Sequence, residues 1–258
     1  LNRYNFSIIK NIYNQNLIMH DKFHFTYENI KKQYRSAVAC GYQVITCKEF
    51  YKLKNQNALP EKTIVNRIDI DLSLRKTECL LDIFNDLGIK GTFFLRLHAP
   101  DYNPFSFEGY RIIKKLINSG HELGYHSEIV DQSKIWDEDA KDCLVRDIEI
   151  MNKMFNVNVV GVASHGGITG LNNLDFWKDK KPHDFGLLYE AYDKEPKFNL
   201  YQEAFYISDS EWTQWKCYDK GNLCINDRRS FEEHLLSEHK LIYLLIHPDT
   251  YFKRHIYE

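Results

Sequence analysis

Acidic and histidine side chains stand at the ends of several short apolar runs. Asp69 and Asp71 close one run, and His126, His165 and His247 close three others. Two carboxylates spaced by two residues lie on the same side of a strand, where their like charges repel. A divalent cation removes that repulsion, so that one carboxylate binds the cation while the other stays free as a general base for water. These residue types therefore indicate metal-assisted hydrolysis.

Each of these residues also has an ordinary structural explanation. An Asp pair at a strand end can cap the following helix, and His247 can be a buried histidine that bonds to the backbone before Pro248. His165 precedes Gly166 and Gly167, which suit a close approach to a ligand and a plain turn equally well. The chemical interpretation depends on the whole set, because its members end four separate runs.

A second group of residues is predicted to complete the site. His247 ends an apolar run, and a histidine with a tuned pKa there is suited to protonate a leaving amine. Tryptophan offers an apolar face to a sugar ring, and Trp212 and Trp215 are expected on a loop over the pocket. The predicted substrate contacts are Arg67, Glu128, Asp209 and Trp212.

Short β-rich runs alternate with amphipathic helical patterns from Thr63 onward, which predicts βα units and a parallel sheet. The predicted fold class is α/β, a distorted β/α barrel. The C-terminal ends of barrel strands open on one face, which would bring the five residues together. Strands are predicted at 64–71, 91–97, 121–126, 159–163 and 241–246, and helices at 80–87, 112–117, 137–155 and 230–238; residues 172–227 are not assigned.

Residues 1–60 differ from the rest of the chain. They have a basic, helical pattern that closes at Leu59-Pro60. We therefore predict a helical N-terminal cap over residues 1–60 and a catalytic β/α barrel over residues 61–258.

Composition excludes several classes of protein. The 258 residues carry a net charge of -2 with dispersed lysines, so no nucleic-acid partner is expected. The six cysteines form no CxxC pair, which favours reduced thiols in the cytoplasm over a disulfide framework or a zinc knuckle. No run approaches the roughly 18 apolar residues of a membrane span, and the first residues lack a signal-peptide pattern. The oligomeric state cannot be predicted.

The ordered motifs resemble the polysaccharide deacetylase superfamily, carbohydrate esterase family four, in its divergent bacterial branch found among surface-polysaccharide genes. The most specific motif is Gly-His-Glu-hydrophobic-Gly-x-His at 120–126. The matching segments extend from about Thr63 to Pro248 and comprise residues 67–71, 120–126, 164–166, 173–177, 206–209 and 244–248.

The resemblance implies a distorted β/α barrel with a divalent metal, commonly zinc. The metal would polarise an acetamide carbonyl and hold the attacking water. By position, Asp69 would be the general base, Asp71 and His126 would be metal ligands, and His247 would protonate the departing amine. The products would be acetate and a free amino sugar.

The sequence departs from the family pattern at three places. Val130 stands where a second metal-binding histidine is usual, and we expect His165, or after it Glu128, to replace that ligand. The family's Arg-Pro-Pro loop, which orients the base, is replaced by residues 164–167. Ile68 stands where the branch usually has histidine.

Two functions remain open at this point. The first is a cytoplasmic hydrolase that removes an N-acyl group from an amino sugar in a glycan or glycan precursor. The second is a catalytically weak relative that binds a metal or a glycan without turnover.

Overall fold

The computed structural model describes residues 23–237 and 239–257. Its helices, numbered in chain order, are α1 (Tyr27–Ala39), α2 (Cys47–Asn55), α3 (Leu74–Leu87), α4 (Phe107–Asn118), α5 (Ile129–Trp136), α6 (Ala140–Phe155), α7 (Leu200–Glu203) and α8 (Phe231–His234). Its strands are β1 (Gln43–Ile45), β2 (Thr63–Ile70), β3 (Thr92–Leu95), β4 (Glu122–Ser127), β5 (Gly161–Ser164), β6 (Tyr189–Glu190), β7 (Phe205–Ser208), β8 (Lys216–Asp219), β9 (Asn222–Leu223) and β10 (Leu241–Ile246).

The described strands form one sheet in which parallel pairing dominates. The strand order is β6-β5-β4-β3-β2-β10-β7-β8-β9, and β1 also pairs with β2. Every pairing from β6 to β7 is parallel, and only β8 and β9 are antiparallel to their neighbours within the described part of the chain. The predicted α/β class with a mostly parallel sheet is confirmed.

The predicted closed barrel is wrong, because the sheet is open. Its two ends are β6 and β9, which do not pair with each other in the described residues. Each of these strands has only two residues. A closed barrel needs a continuous ladder around the ring, and such short edge strands offer few backbone groups for it.

The central strand β10 separates two layers of the core. Ile242, Leu244 and Ile246 belong to one buried cluster, while Tyr243 and Leu245 belong to the other. Side chains alternate between the faces of a strand, so both faces of this strand are covered, as expected for a parallel sheet between helices. This strand matches its predicted bounds because a continuous apolar run suits burial on both sides.

The predicted helix over 137–155 begins three residues later in the structure, at Ala140, and a separate helix, α5, precedes it. Asp137 adopts a left-handed backbone with φ of +57° and ends α5. The Asp139 carboxylate then accepts hydrogen bonds from the backbone of Lys141 and Asp142 and begins α6. An N-cap carboxylate satisfies backbone N–H groups that have no partner within the helix.

The described part of the N-terminal segment packs directly on the sheet. Strand β1 pairs with β2, and the Tyr34 hydroxyl of α1 donates to Asn66 Oδ1 at 2.6 Å. The Tyr34 ring lies edge-on to Phe84 of α3. Residues 1–22 of the predicted cap lie outside the described residues, and the boundary at residue 60 stays a prediction.

None of the described helices is long and apolar enough to cross a membrane. The six cysteines are unpaired, and Cys47, Cys143 and Cys217 among them are buried.

Candidate active site

The five predicted residues meet at the carboxyl edge of the sheet. Asp69 lies near the end of β2 and Asp71 follows it, while His126 lies in β4. His165 directly follows β5, and His247 directly follows β10. Because these strands are parallel, their carboxyl ends share one edge and the side chains converge although the barrel does not close.

His126 presents one ring nitrogen to both carboxylates. Its Nδ1 lies 2.8 Å from the Ala163 carbonyl oxygen, which assigns the proton to Nδ1 and leaves the Nε2 lone pair free in the neutral ring. Nε2 lies 3.2 Å from Asp71 Oδ1 and 3.4 Å from Asp69 Oδ2. Ligand atoms about 2.1 Å from a tetrahedral zinc ion are roughly 3.4 Å apart, so these distances fit shared coordination.

The electrostatics of His126 favour positive charge at this point. Burial by itself lowers the pKa of His126, but Asp69 and Asp71 outweigh burial and raise that pKa. A proton on Nε2 therefore takes the position that a cation would occupy. Either that proton or a cation can neutralise the charge of the two carboxylates.

Asp71 is the carboxylate with an oxygen that is available to a cation. Its Oδ1 is buried and has no hydrogen bond of good geometry in the described residues. Burial raises the pKa of Asp71, but His126, His247 and His165 outweigh it and hold the carboxyl ionised. A buried, ionised oxygen without a hydrogen-bond donor is the donor type that a divalent cation needs.

His165 completes a possible set of three ligands. Its Nε2 lies 3.9 Å from Asp71 Oδ1, and its ring stands edge-on to His126 at a centroid distance of 5.1 Å. Asp71, His126 and His165 each offer a ligand atom, and these atoms lie within 4.8 Å of one another. Burial, followed by the charges of His126 and Arg96, lowers the pKa of His165 and favours the neutral ring that binds metals.

Glu128 is held by an arginine that the sequence analysis missed. Arg96 Nη2 donates to Glu128 Oε1 at 2.6 Å, and Arg96 Nη1 donates to the Asp71 carbonyl at 3.1 Å. Glu128 also lies 3.7 Å from His165 Nδ1. It therefore lies behind a possible metal ligand, and its predicted contact with substrate stays a prediction. Arg96 directly follows β3, so the strand-end rule could have identified it.

Arg67 is paired with Asp69, and its predicted contact with substrate stays a prediction. The side chain is buried, and it donates to both oxygens of Asp69, from Nε at 2.9 Å and from Nη2 at 2.7 Å. The guanidinium carbon lies 4.8 Å from the Tyr192 ring centroid. Side chains alternate along β2, so residues 67 and 69 lie on one face. The sequence analysis used this alternation only for the two aspartates. Arg67 therefore orients Asp69.

Asp69 is ionised in this setting. Burial raises the pKa of Asp69, but the Arg67 charge and then His126 outweigh it and hold the pKa below its ordinary range. A bidentate guanidinium pair also fixes the plane of the carboxylate.

Asp209 is bound to His247, and its predicted contact with substrate stays a prediction. Asp209 Oδ1 lies 2.6 Å from His247 Nδ1, and Oδ2 accepts from the His247 backbone N–H at 3.0 Å. Burial alone would lower the pKa of His247, but Asp209 and Asp71 raise it to about 9. His247 Nε2 points towards Asp71 Oδ2 at 3.9 Å. The arrangement keeps a protonated imidazole at the site.

The two tryptophans have different surroundings. Trp212 is 41% exposed, and its backbone N–H donates to the Asp209 carbonyl at 2.9 Å. Its contact with substrate stays a prediction. Trp215 is buried against Phe25 and Phe231, so the expectation that it covers the pocket is wrong. The alternation of β-rich and polar residues between 205 and 219 was too irregular to separate these two positions.

Glu190 is a further buried carboxylate that the sequence analysis missed. It accepts from the Ser164 backbone N–H at 3.0 Å and from the Tyr192 N–H at 2.7 Å. These bonds hold the backbone of Ser164, which precedes His165, and the backbone of Tyr192, whose ring contacts Arg67. The sequence offers no signal for this role, because Glu190 lies in the unassigned region.

Comparisons with known proteins were made for the sequence and for the structure. No protein-family model and no curated protein sequence matches the chain. The Streptococcus pyogenes deacetylase PplD in complex with acetate is similar at 17% identity and a TM-score of 0.41, over 53% of this chain and 61% of that one. IcaB from Ammonifex degensii is similar at 17% identity and a TM-score of 0.44, over 58% of this chain and 70% of that one.

PplD is a deacetylase. The sequence motifs resemble the same class of protein. The aligned part spans about three fifths of PplD.

Proposed function

We propose that this protein is a metal-dependent hydrolase that removes an N-acyl group, an acetyl group in the simplest case, from an amino sugar in a glycan or glycan precursor. One observation carries the proposal. A half-buried aspartate whose buried Oδ1 has no hydrogen bond of good geometry, two imidazoles, an arginine-bound aspartate and an aspartate-bound histidine share one sheet edge. These groups supply a cation site, a base and an acid in one place.

Asp71, His126 and His165 are the residues that would hold the cation. They fit it because Asp71 Oδ1 lacks a hydrogen bond of good geometry and His126 Nε2 keeps its lone pair. When bound there, a divalent cation of the zinc type supplies a Lewis acid that polarises the acyl carbonyl and lowers the pKa of water. His165 takes the place of the ligand that Val130 cannot provide.

Asp69 is proposed to take the proton from the attacking water. Its carboxylate is ionised, so it can accept a proton, and the Arg67 pair holds it in one orientation. The same pair makes Asp69 a weak base. Asp69 would therefore take a proton only from a water whose pKa is lowered.

His247 is proposed to give a proton to the leaving nitrogen. An amine leaves an amide only when it is protonated, and His247 is protonated at neutral pH because its pKa is raised to about 9. The bond from Nδ1 to Asp209 leaves Nε2–H directed into the site. The amine departs neutral, and acetate is the second product.

The test is acetate release from an N-acetylglucosamine oligomer, followed after chelation and again after zinc is restored. We expect activity only in the zinc-loaded protein, and little in a His126→Ala variant with the same circular dichroism spectrum. A zinc-loaded wild type that is inert on this oligomer, on nucleotide-linked N-acyl sugars and on aryl acetates would contradict the proposal. It would favour a relative that binds without turnover.

A further inference from the structure

A second cluster of ligand-type side chains lies at the antiparallel end of the sheet, apart from the group of Asp71, His126 and His165. Cys217 lies in β8, Asp227 follows β9, and His234 ends α8. Strand β8 is separated from β2 by β7 and β10. The sulfur of Cys217 lies 3.5 Å from His234 Nε2, and Asp227 Oδ1 lies 3.3 Å from the same nitrogen. The three ligand atoms lie within 4.8 Å of one another.

These separations match the edges of a metal coordination shell. In tetrahedral zinc sites, Zn–S is about 2.3 Å, Zn–N about 2.05 Å and Zn–O about 2.1 Å. Tetrahedral angles then place sulfur and nitrogen roughly 3.6 Å apart, and oxygen and nitrogen roughly 3.4 Å apart. The observed 3.5 Å and 3.3 Å agree with both values. A thiolate, an imidazole and a carboxylate are also a ligand mixture that zinc accepts.

The three ligands are held by separate local structures. The Cys224 backbone N–H donates to the Cys217 carbonyl at 2.9 Å, which continues the hairpin beyond the β8–β9 pairing. Arg229 donates to both Asp227 oxygens and orients that carboxylate. Ser230 and Glu233 form a capping box that begins α8 and fixes the turn carrying His234. The convergence therefore does not depend on one flexible loop.

The surroundings allow a cation to enter. The His234 side chain is completely buried and Cys217 is buried, whereas the Asp227 side chain is 16% exposed. Asp227 and Cys224 both line an open depression on the surface. One side of the cluster is therefore protected from water, while the other side is accessible through the carboxylate.

We propose that Cys217, Asp227 and His234 bind a divalent transition metal of the zinc class. The site would be structural, because it joins the hairpin, the loop after it and α8 at the antiparallel edge of the sheet. Binding replaces the thiol proton of Cys217, which is released to solvent. This proposal is independent of the proposed hydrolase activity.

Cobalt distinguishes this site from the candidate active site. A thiolate bound to Co²⁺ gives a charge-transfer absorption in the near ultraviolet, and the active-site group of Asp71, His126 and His165 contains no sulfur. Metal-free protein, kept reduced with a phosphine, is titrated with Co²⁺. We expect this absorption to saturate at about one equivalent per chain and to be lost in Cys217→Ser.

Three variants complete the experiment. Asp227→Asn should keep the fold and weaken Co²⁺ binding at this site at least ~10-fold. The variant loses a ligand, and even the loss of a residue that only hydrogen-bonds to a ligand lowers metal affinity about 10–100-fold. His126→Ala and Cys79→Ser, whose thiol is exposed, should leave the absorption unchanged. Absence of the absorption in reduced wild type, or its persistence in Cys217→Ser, would overturn the proposal and leave an ordinary packed Cys-His contact.

Discussion

At the residue scale, the two aspartates at the end of β2 have opposite surroundings. Asp69 is bound at both oxygens by Arg67, whereas Asp71 keeps a buried oxygen without a hydrogen bond of good geometry in the described residues. Like charges two residues apart would repel, but each is compensated by its own neighbours. Arg67 pairs with Asp69, and three histidines lie around Asp71. This difference is the physical basis for assigning Asp69 to proton transfer and Asp71 to the cation.

Replacing Asp69 tests that division of roles. Asp69→Asn keeps the shape but removes the carboxylate, and general base catalysis contributes about 10²–10⁴-fold. We expect kcat to fall on that scale while most of the zinc remains bound, measured by acetate release and by metal analysis. Asp175→Asn, on the surface beside Lys178, is the matched control and should match wild type. Loss of zinc in proportion to activity would instead make Asp69 a ligand.

Replacing His247 tests the proton donor. His247→Ala should slow hydrolysis of an N-acetyl sugar far more than hydrolysis of an aryl acetate, because an aryl oxide leaves without a proton. The comparison of kcat for the two substrates measures the effect. Equal losses on both substrates would assign His247 to binding or to structure.

The pH profile tests Asp209 as the residue that positions His247. A raised pKa means that the acid form of His247 exists below about 9 and is lost as pH rises through that value. Activity on amides should therefore fall on the alkaline side. Asp209→Asn removes the largest interaction that raises the pKa, so this limb should move to lower pH. A limb that stays in place would show that another group limits the rate.

At the scale of elements, α5 fastens the loop that carries His165. Asp131 of α5 accepts hydrogen bonds from the backbone of Ile168 and Thr169 and from the Thr169 hydroxyl. Asn173 donates to Asp131 Oδ2 at 2.7 Å and to the His165 carbonyl at 3.2 Å. Helix α5 therefore supplies Asp131 as the anchor of the loop that carries the proposed ligand His165.

Removing this anchor should loosen the His165 loop. Asp131→Ala removes the acceptor of the buried Asn173 amide, which costs about 1–3 kcal/mol, and of the more exposed donors of Ile168 and Thr169. We expect faster amide hydrogen exchange at 165–169 and weaker zinc binding at the active site, with kcat recovered at high zinc. Asp142→Ala on α6, a surface helix position, is the control for losing a helix carboxylate. Unchanged exchange at 165–169 would contradict the role of Asp131.

At the scale of the whole molecule, stability and catalysis reside in different parts of the sheet. The centre is formed by β2 and β10, whose apolar side chains are buried on both faces. The reactive groups lie at the carboxyl ends of these and neighbouring strands. Mutations in the centre should therefore change the fraction of molecules that is folded, while the zinc content and kcat of each folded molecule stay the same.

Leu244 in β10 provides the test. It is fully buried, and Leu→Ala at such a position costs about 2–5 kcal/mol because it removes contacts and leaves a cavity. Urea unfolding should show this loss, while zinc content and kcat per folded molecule stay near wild type. Leu236→Ala, at a leucine that is 44% exposed, should cost less than about 0.5 kcal/mol. Equal effects at the two leucines would contradict the assigned core.

The sequence by itself determined the local pattern and the strand ends. The continuous apolar run at 241–246 and the alternation of β and helical patterns predicted a parallel sheet, since these signals depend only on neighbouring residues. Parallel strands end at a common edge, so the convergence of the aspartates and histidines followed from the same pattern. Residues 172–227 gave weak signals because their strands have only two to four residues.

Only the tertiary structure decided whether the sheet closes and which side chains pair with each other. The open sheet follows from the pairing of its short edge strands, which no local pattern records. The pairs Arg67–Asp69, Arg96–Glu128 and Asp209–His247 depend on directions of side chains, two of them across distant segments. The Cys217, Asp227 and His234 cluster has no recognisable spacing, because three separately folded segments bring it together.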